Sequence, residues 1–377
     1  MRILIDVKNL ALYNGGIAHW FRQILPAWLD TSNIENEFIF LCPAGAHLRV
    51  PEFERGHIFA NRWPDYLPRK LRHIIYDNFL FPIGVAKIKP QMIFSPYLDV
   101  LLPAKSKKIY SVMGILDLCH IDVPEEYPWV IRFYYVFMMK RNLKRAHHVV
   151  TISQTTRNKL INTLGIQSDK VSVILNAVEH DFQFFIPTDR DIENFRANLA
   201  IGDNKFLLYT GGMEYRKNIP RLIESIDHLW NEGFRISLGI TGTISEKWLS
   251  IFPKNFLLQR KIIFLGHLDL KNLRIAYEVA DAVVFPTLNE GFGRSCLEAQ
   301  ICGTPLACSD IPILREVSGH YPEYFDPLNV SDIARAILIA VEGGKKSPVI
   351  DARFCASSVI DSFEVLMKKL EGEARAL

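Results

Sequence analysis

The sequence predicts an α/β protein built of two doubly wound, parallel-sheet domains. Three observations carry that prediction. The chain has 377 residues, more than the roughly 100–200 of one ordinary domain. Short runs of apolar and β-branched residues alternate with stretches of helical period along nearly its whole length, which is the rhythm of βα units. Most of those runs are apolar throughout, as parallel strands covered by helices on both faces require.

In the first half the runs are Arg2–Asp6, Phe38–Leu41, Met92–Phe94, Ile109–Ile115, His148–Ile152 and Val171–Leu175. In the second half they are Phe206–Tyr209, Ile236–Ile240, Ile262–Leu265, Ala282–Phe285 and Leu306–Cys308. Amphipathic segments such as Pro220–Trp230, Leu270–Val279 and Val330–Val341 lie between them and read as helices. The rhythm restarts near residue 205. The polar stretch Asn176–Asn204, with a helix expected at Asp191–Leu199, is the junction between two Rossmann-like halves. Gly343–Ser347 reads as a loop before a final helix, Ala352–Leu370.

Composition narrows the class. With 49% hydrophobic and 23% charged residues the chain is globular, not disordered or fibrous. Forty-four basic against 41 acidic side chains leave a net charge of +3, too even for nucleic acid to be the main partner. The six cysteines form no C-x-x-C pair and read as reduced, buried thiols. The opening MRILID does not read as a secretory leader. The longest apolar stretch, Ile109–Cys119, contains Asp117 and falls far short of the ~20 residues of a membrane span. The expected protein is cytoplasmic and lies at most on a membrane surface.

Ligands of open α/β sheets bind beyond the carboxyl ends of strands, so each loop after an apolar run is a place to look. The most informative is PTLNEGFGRSCLEAQICGTPLACSDIPILREV, residues 286–317. After Phe285 come Glu290, the flexible Gly291-Phe292-Gly293 and a helix carrying Glu298. The glycines let backbone approach a ligand, and the helix start offers free N–H groups to phosphate or sugar oxygens. With Glu298 two turns into the helix, the two carboxylates would reach both ends of one elongated ligand, and carboxylates accept well from vicinal hydroxyls. Without a ligand, the same residues are a loop carboxylate, a solvated helix face and a turn.

The second feature is LLYTGGMEYRKNIPRLIESI, residues 207–226. A strand runs into Gly211-Gly212, and Arg216-Lys217-Asn218 precedes a helix with Pro220 in its first turn. Two cations at a helix start make a diphosphate clamp; a solvated basic turn has the same composition. Third, Asn14-Gly15-Gly16 follows the first strand. It is not G-x-G-x-x-G, so the dinucleotide fingerprint is absent, but such a loop can lie against a phosphate or a sugar. Fourth, Asp117 and His120 follow the run Ile109–Ile115, where a His can act as an acid, a base or a hydrogen-bonding group. His147-His148 begins a strand and reads as structural. No metal-ligand spacing, nucleophile elbow or Walker loop is present in the sequence.

Taken together, strand–GG–x(3)–RKN–helix, then EGFG–x(4)–E, then CGTP resemble the retaining glycosyltransferases of the glycogen-synthase-like and bacterial mannosyltransferase-like superfamily (family 4, GT-B fold). The resemblance implies two Rossmann-like domains: residues 1–185, with 358–377 packing back on them, and 186–357, which bind a nucleotide-activated sugar. It implies that Glu298 holds the nucleotide ribose. Glu290 would sit by the transferred sugar, with Gly291, Phe292 and Gly293 offering it backbone N–H groups. Arg216 and Lys217, beside Gly212, would neutralise the departing diphosphate, so that no metal is required. Gly15 and Gly16 match the family's mobile first loop. Relatives often carry His-Asp-Leu where this chain has Leu116-Asp117-Leu118, with Pro124 in register; Leu116 replaces the sugar-contacting His, and His120 stands three residues on. Asn176-Ala177 replaces the usual Asn-Gly.

The same resemblance implies a retaining, metal-independent enzyme without a protein nucleophile. It would move a hexose or deoxyhexose to a glycan or lipid-linked acceptor in bacterial surface-polysaccharide assembly. GDP-mannose is the first choice of donor, ahead of dTDP-rhamnose and UDP-sugars. The alternatives are a sugar-nucleotide epimerase or hydrolase on the same fold, and a non-catalytic sugar-nucleotide-binding protein. An oxidoreductase would need the missing glycine fingerprint. Finally, Arg132–His148 mixes aromatics with five Lys or Arg, as a helix in peripheral contact with the inner face of a membrane would. The simpler expectation puts Phe133, Val136, Phe137 and Met138 in the core, with a solvated basic face.

Overall fold

The computed structural model describes residues 1–8, 10, 16–32, 35–43, 56–61, 67–97, 100–103, 108–243, 252 and 261–377. It divides into two compact units. The first comprises Met1–Ile121, Tyr127–Ala177 and Ala356–Leu377; the second comprises Asp122–Glu126 and Val178–Cys355. The division after Ala177 falls ahead of the 185/186 boundary that the family resemblance implies.

Among the described residues each unit holds one sheet, and every strand pair in both is parallel. In the first, β1 (Arg2–Asp6), β2 (Glu37–Pro43), β3 (His57–Asn61), β4 (Met92–Ser95), β5 (Tyr110–Gly114), β6 (His148–Thr151) and β7 (Val171–Val173) lie in the order β3-β2-β1-β4-β5-β6-β7. In the second, β8 (Lys205–Tyr209), β9 (Ile236–Thr241), β10 (Ile262–Gly266), β11 (Ala282–Phe285), β12 (Leu306–Ser309) and β13 (Glu323–Phe325) lie in the order β10-β9-β8-β11-β12-β13. Most of the apolar runs are inner strands, where side chains are buried on both faces; the run Ile262–Leu265 is the edge strand β10, only partly buried. β3 and β13 are edge strands that no continuous apolar run announces. β3 is largely exposed, and β13 has three residues.

The last helix differs from expectation. Asp351 accepts from the Arg353 amide and caps a single 3-10 turn, Ala352–Phe354. The backbone is extended at Cys355, and the helix proper runs Ala356–Ala376. It docks on the helix Gly16–Thr31 of the first unit. Phe363 meets the ring edges of Trp28 (5.8 Å) and Phe94 (6.1 Å). Glu371 accepts from Trp28 Nε1 at 2.7 Å and from Asn36 Nδ2 at 2.7 Å.

Past the end of β1, the fully buried Lys8 ammonium pairs with the equally buried Asp77 carboxylate. Its charge also faces the rings of Tyr76 (5.4 Å) and Tyr97 (5.5 Å). Asp77 lies in a five-residue π turn, Tyr76–Leu80, that joins the helices Arg69–Ile75 and Phe81–Ile88. All six cysteines are free, and only Cys355 is not buried. Burial pushes the Cys302 thiol up to about 12, which removes it from thiolate chemistry.

The side chain of His147 accepts from the Ser111 amide at 3.0 Å and stacks on Tyr110, a structural role. His148 is buried, with Nε2 at 2.9 Å from Ser172 Oγ, and burial pushes its imidazole down to about 4. An unfolded His titrates near 6.5. Because the folded value is the lower one, the stabilising contribution is complete above pH ~6.5 and lost as pH falls towards about 4. We expect His148→Gln to flatten the loss of stability between those values by roughly 2–3 kcal/mol. Urea unfolding at both ends of the window checks this, and equal losses in both proteins would refute it.

Candidate functional site

The order of the second sheet reverses between β8 and β11, which are hydrogen-bonded neighbours. Loops leaving two adjacent parallel strands at such a point diverge and open a crevice, the usual ligand site of these sheets. Arg216, Lys217, Glu290 and Glu298 all come from these two loops and the helices that follow them.

After β8 the chain bends back at once, because the Tyr209 hydroxyl donates to the Gly212 carbonyl at 2.6 Å. A Cβ at Gly211 would lie 2.1 Å from that hydroxyl, so glycine is required there. A 3-10 turn, Tyr215–Lys217, then presents the cations. Asn218 takes a left-handed conformation with φ of 59°, and its side chain donates to the Pro327 carbonyl at 2.6 Å. The helix Ile219–Asn231 begins immediately after it, with Pro220 in its first turn.

Across the gap, the loop after β11 is tied to the first one by backbone. The Leu288 amide donates to the Arg216 carbonyl at 2.7 Å. The side chains converge on one oxygen: Glu290 Oε1 lies 2.8 Å from Arg216 Nη1 and 2.5 Å from Lys217 Nζ. The Thr287 hydroxyl is 3.1 Å from the same oxygen. Lys217 also sits over the Phe285 ring at 5.0 Å. Burial alone would push the Glu290 carboxyl up; the Lys217 and Arg216 charges outweigh it and hold the group below the usual carboxylate value. Glu126 of the same unit approaches Arg216 Nε at 3.8 Å. The cations are thus neutralised and held in place by the chain's own carboxylates.

The second carboxylate is built differently. Gly293, with φ of 100°, turns the chain into the helix Arg294–Ile301. Glu298 therefore lies just over one turn into that helix, not two, because Gly291–Gly293 are spent on the loop. It is buried, and both its oxygens are engaged. Tyr277 donates to Oε2 at 2.7 Å, and Arg294 Nη2 donates to Oε1 at 3.1 Å. The Thr210 hydroxyl is 2.8 Å from both the Tyr277 hydroxyl and Ser295 Oγ. Two engaged lone pairs leave a carboxylate the capacity to accept two more donors, the number a vicinal diol supplies.

The structure therefore joins Arg216, Lys217 and Glu290 directly and puts Glu298 on the helix that comes next. Between these residues, Phe292 turns its ring inward onto Phe354 at 5.6 Å, so at this position the loop presents backbone. The remaining candidates belong to the first unit. Asp117 accepts from the Cys119 amide at 3.0 Å and so fixes the start of the short helix Cys119–Asp122. The His120 ring on that helix is packed by Tyr127 (4.2 Å) and Tyr135 (4.5 Å). Gly16 opens the helix Gly16–Thr31; Gly15 lies outside the described residues. Sequence reasoning did not single out Thr210, Tyr277 or Thr287. Arg294 carried a usable signal, the i,i+4 spacing to Glu298 on one helix; Tyr277 comes from a helix end elsewhere in sequence and carried none. Among the described residues, no three His, Cys, Asp or Glu side chains gather into a metal-ligating set.

Comparison with known proteins agrees with this architecture. The family description "Glycosyltransferase Family 4" matches residues 32–182 and "Glycosyl transferases group 1" matches residues 191–351. The O-antigen chain mannosyltransferase RfbU of Salmonella typhimurium is 30% identical over 207 residues, 54% of each chain. The serotype-specific mannosyltransferase WbdA of Escherichia coli is 29% identical over 269 residues, covering 68% of this chain and 33% of that protein. The chain thus spans about half the length of the first relative and a third of the second. Anabaena HepE, solved in complex with UDP-glucose, superposes with a TM-score of 0.70 at 15% identity, covering 98% of this chain and 100% of that one. Two parallel-sheet α/β domains with such neighbours make a GT-B fold. The chain belongs to the GT4-like glycosyltransferase superfamily.

Proposed function

We propose that the protein is a retaining hexosyltransferase that moves mannose from GDP-mannose to a glycan acceptor in O-antigen-type synthesis, without a metal. The observation that carries the reading is the convergence of Arg216, Lys217 and Glu290 where the sheet order reverses. In this reading the diphosphate takes the place of the Glu290 carboxylate on the two cations. Negative charge grows on the diphosphate as the sugar leaves, and cations already in position lower that barrier without reorganisation. Glu290, released, turns to the transferred sugar, where it positions and stabilises rather than attacks. Glu298, held by Tyr277 and Arg294, accepts the ribose hydroxyls. His120 is the first unit's candidate for the sugar-contacting His that Leu116 replaces. Mannose is supported by the names of the relatives RfbU and WbdA.

The test is calorimetric titration with GDP, UDP, dTDP and NADH in EDTA. We expect one nucleoside diphosphate, GDP first, to bind without metal, and Glu298→Ala to weaken it about tenfold or more, as loss of a charged hydrogen-bond acceptor should. Unchanged affinity in that variant would move the ribose site elsewhere. Binding of NADH alone, or of nothing, would overturn the reading. Product formed without an acceptor would make the protein a hydrolase or epimerase instead.

A further inference from the structure

The helix Trp129–Arg145 has apolar residues on opposite sides. Met138, Met139 and Leu143 are in the core of the first unit. Trp129 is 80% exposed, Phe133 69% and Phe137 56%; only Met138 of the four expected core residues is buried. The exposed three are four residues apart, so they form one stripe, and the Phe133 and Phe137 rings stack at 6.3 Å. Lys140 and Lys144, also exposed, continue the same stripe.

A second stripe lies beside it. The run of helices Arg69–Ile75, Tyr76–Leu80 and Phe81–Ile88 turns Leu71, Phe79 (62% exposed) and Ile83 outward. Asn78, next to Phe79, donates to the hydroxyl of Tyr134, next to Phe133, at 2.6 Å. The hydrogen bond fastens the two helical segments side by side. Residues 69–88 and 129–145 together carry nine Lys or Arg and a single acidic residue, Asp77, which is buried against Lys8. Of these cations Lys87, Arg132, Lys140 and Lys144 are exposed, and with the one carboxylate buried the apolar stripes are flanked by positive charge alone.

We propose that this face docks on a bilayer surface of anionic phospholipid, with the Trp129–Phe133–Phe137 and Leu71–Phe79–Ile83 stripes seated among the headgroups. Amphipathic helices with aromatic residues on one side and Lys or Arg around them bind in that plane. Charge decides against the rival occupant, a second copy of the chain. A symmetric pair would set one basic face against another, which like-charge repulsion disfavours. Among the described residues no helix is long and apolar enough to cross a membrane. The face is read from the first unit alone and is independent of the nucleotide that the second unit binds.

The experiment is co-sedimentation of the full chain with phosphatidylcholine vesicles, with and without phosphatidylglycerol. We expect partition onto the phosphatidylglycerol vesicles, weakened by salt, and poor partition onto phosphatidylcholine alone. The triple variant Trp129→Ser, Phe133→Ser, Phe137→Ser and, separately, Lys140→Glu with Lys144→Glu should each reduce it by about tenfold or more. All five side chains are exposed, so both variants should unfold at the wild-type temperature, which circular dichroism checks. No partition, or partition that neither variant changes, would overturn the proposal. So would a dimer in sedimentation velocity that the aromatic variant abolishes, since the face would then belong to a second copy.

Discussion

Lys217→Ala will leave the protein folded and slow sugar transfer by about 10²–10³-fold, the usual loss when one preorganised transition-state contact is removed. The expectation rests on where the ammonium sits. It is largely buried, over the Phe285 ring and 2.5 Å from Glu290 Oε1. A cation so placed is worth far more than one in water, because little solvent remains to screen it. Folding should survive because Glu290 keeps Arg216 at 2.8 Å and Thr287 at 3.1 Å. Glu290→Ala should cost turnover by the same order. Its carboxyl stays below the usual value while both cations are present. Its charge, and any stability the pairing gives, therefore persists at neutral pH and is lost only as pH falls below the ordinary carboxylate range. Losing Lys217 should move that transition upward. Initial rates with saturating donor and acceptor decide the matter, and a change below about tenfold in both variants would contradict the roles.

The largest stability effect is expected at Lys8, in the other unit. Lys8→Met should destabilise the first unit by about 3–5 kcal/mol, a fall in Tm of roughly 10 °C. Both members of the Lys8–Asp77 pair are fully buried, so removing one leaves a charge in a medium that cannot solvate it. The double variant Lys8→Met, Asp77→Leu should recover most of the loss, since a well-packed apolar pair avoids the desolvation cost altogether. Urea unfolding of the three proteins measures this. A loss under about 1 kcal/mol in the single variant would show that the pair contributes little.

The contrast between these two sites shows what a sequence exposes. The inner strands were legible because burial on both faces leaves a run with no polar residue, as in Ala282–Phe285. The site was legible in part, because glycines and charges cluster just after two such runs. Its meeting at a single oxygen of Glu290 was not, since that depends on β8 and β11 being neighbours. Edge strands such as β13, Glu323–Phe325, escaped because one open side relaxes the demand for apolar residues. The Lys8–Asp77 pair joins residues far apart in sequence. For the helix Trp129–Arg145, periodicity could not decide which apolar side faces inward, because both sides carry apolar residues.

The helix Ala356–Ala376 belongs to the unit whose sheet is made first. Trp28 and Phe94 are synthesised early, yet the ring that covers them, Phe363, and the carboxylate that takes up the Trp28 indole N–H, Glu371, follow the whole of the second unit in sequence. Domains generally fold as units in order of synthesis. Here the second unit, complete at Cys355, has all its residues while the first still shows an apolar aromatic face to solvent. The first unit therefore gains its covering helix only after the second unit has been synthesised.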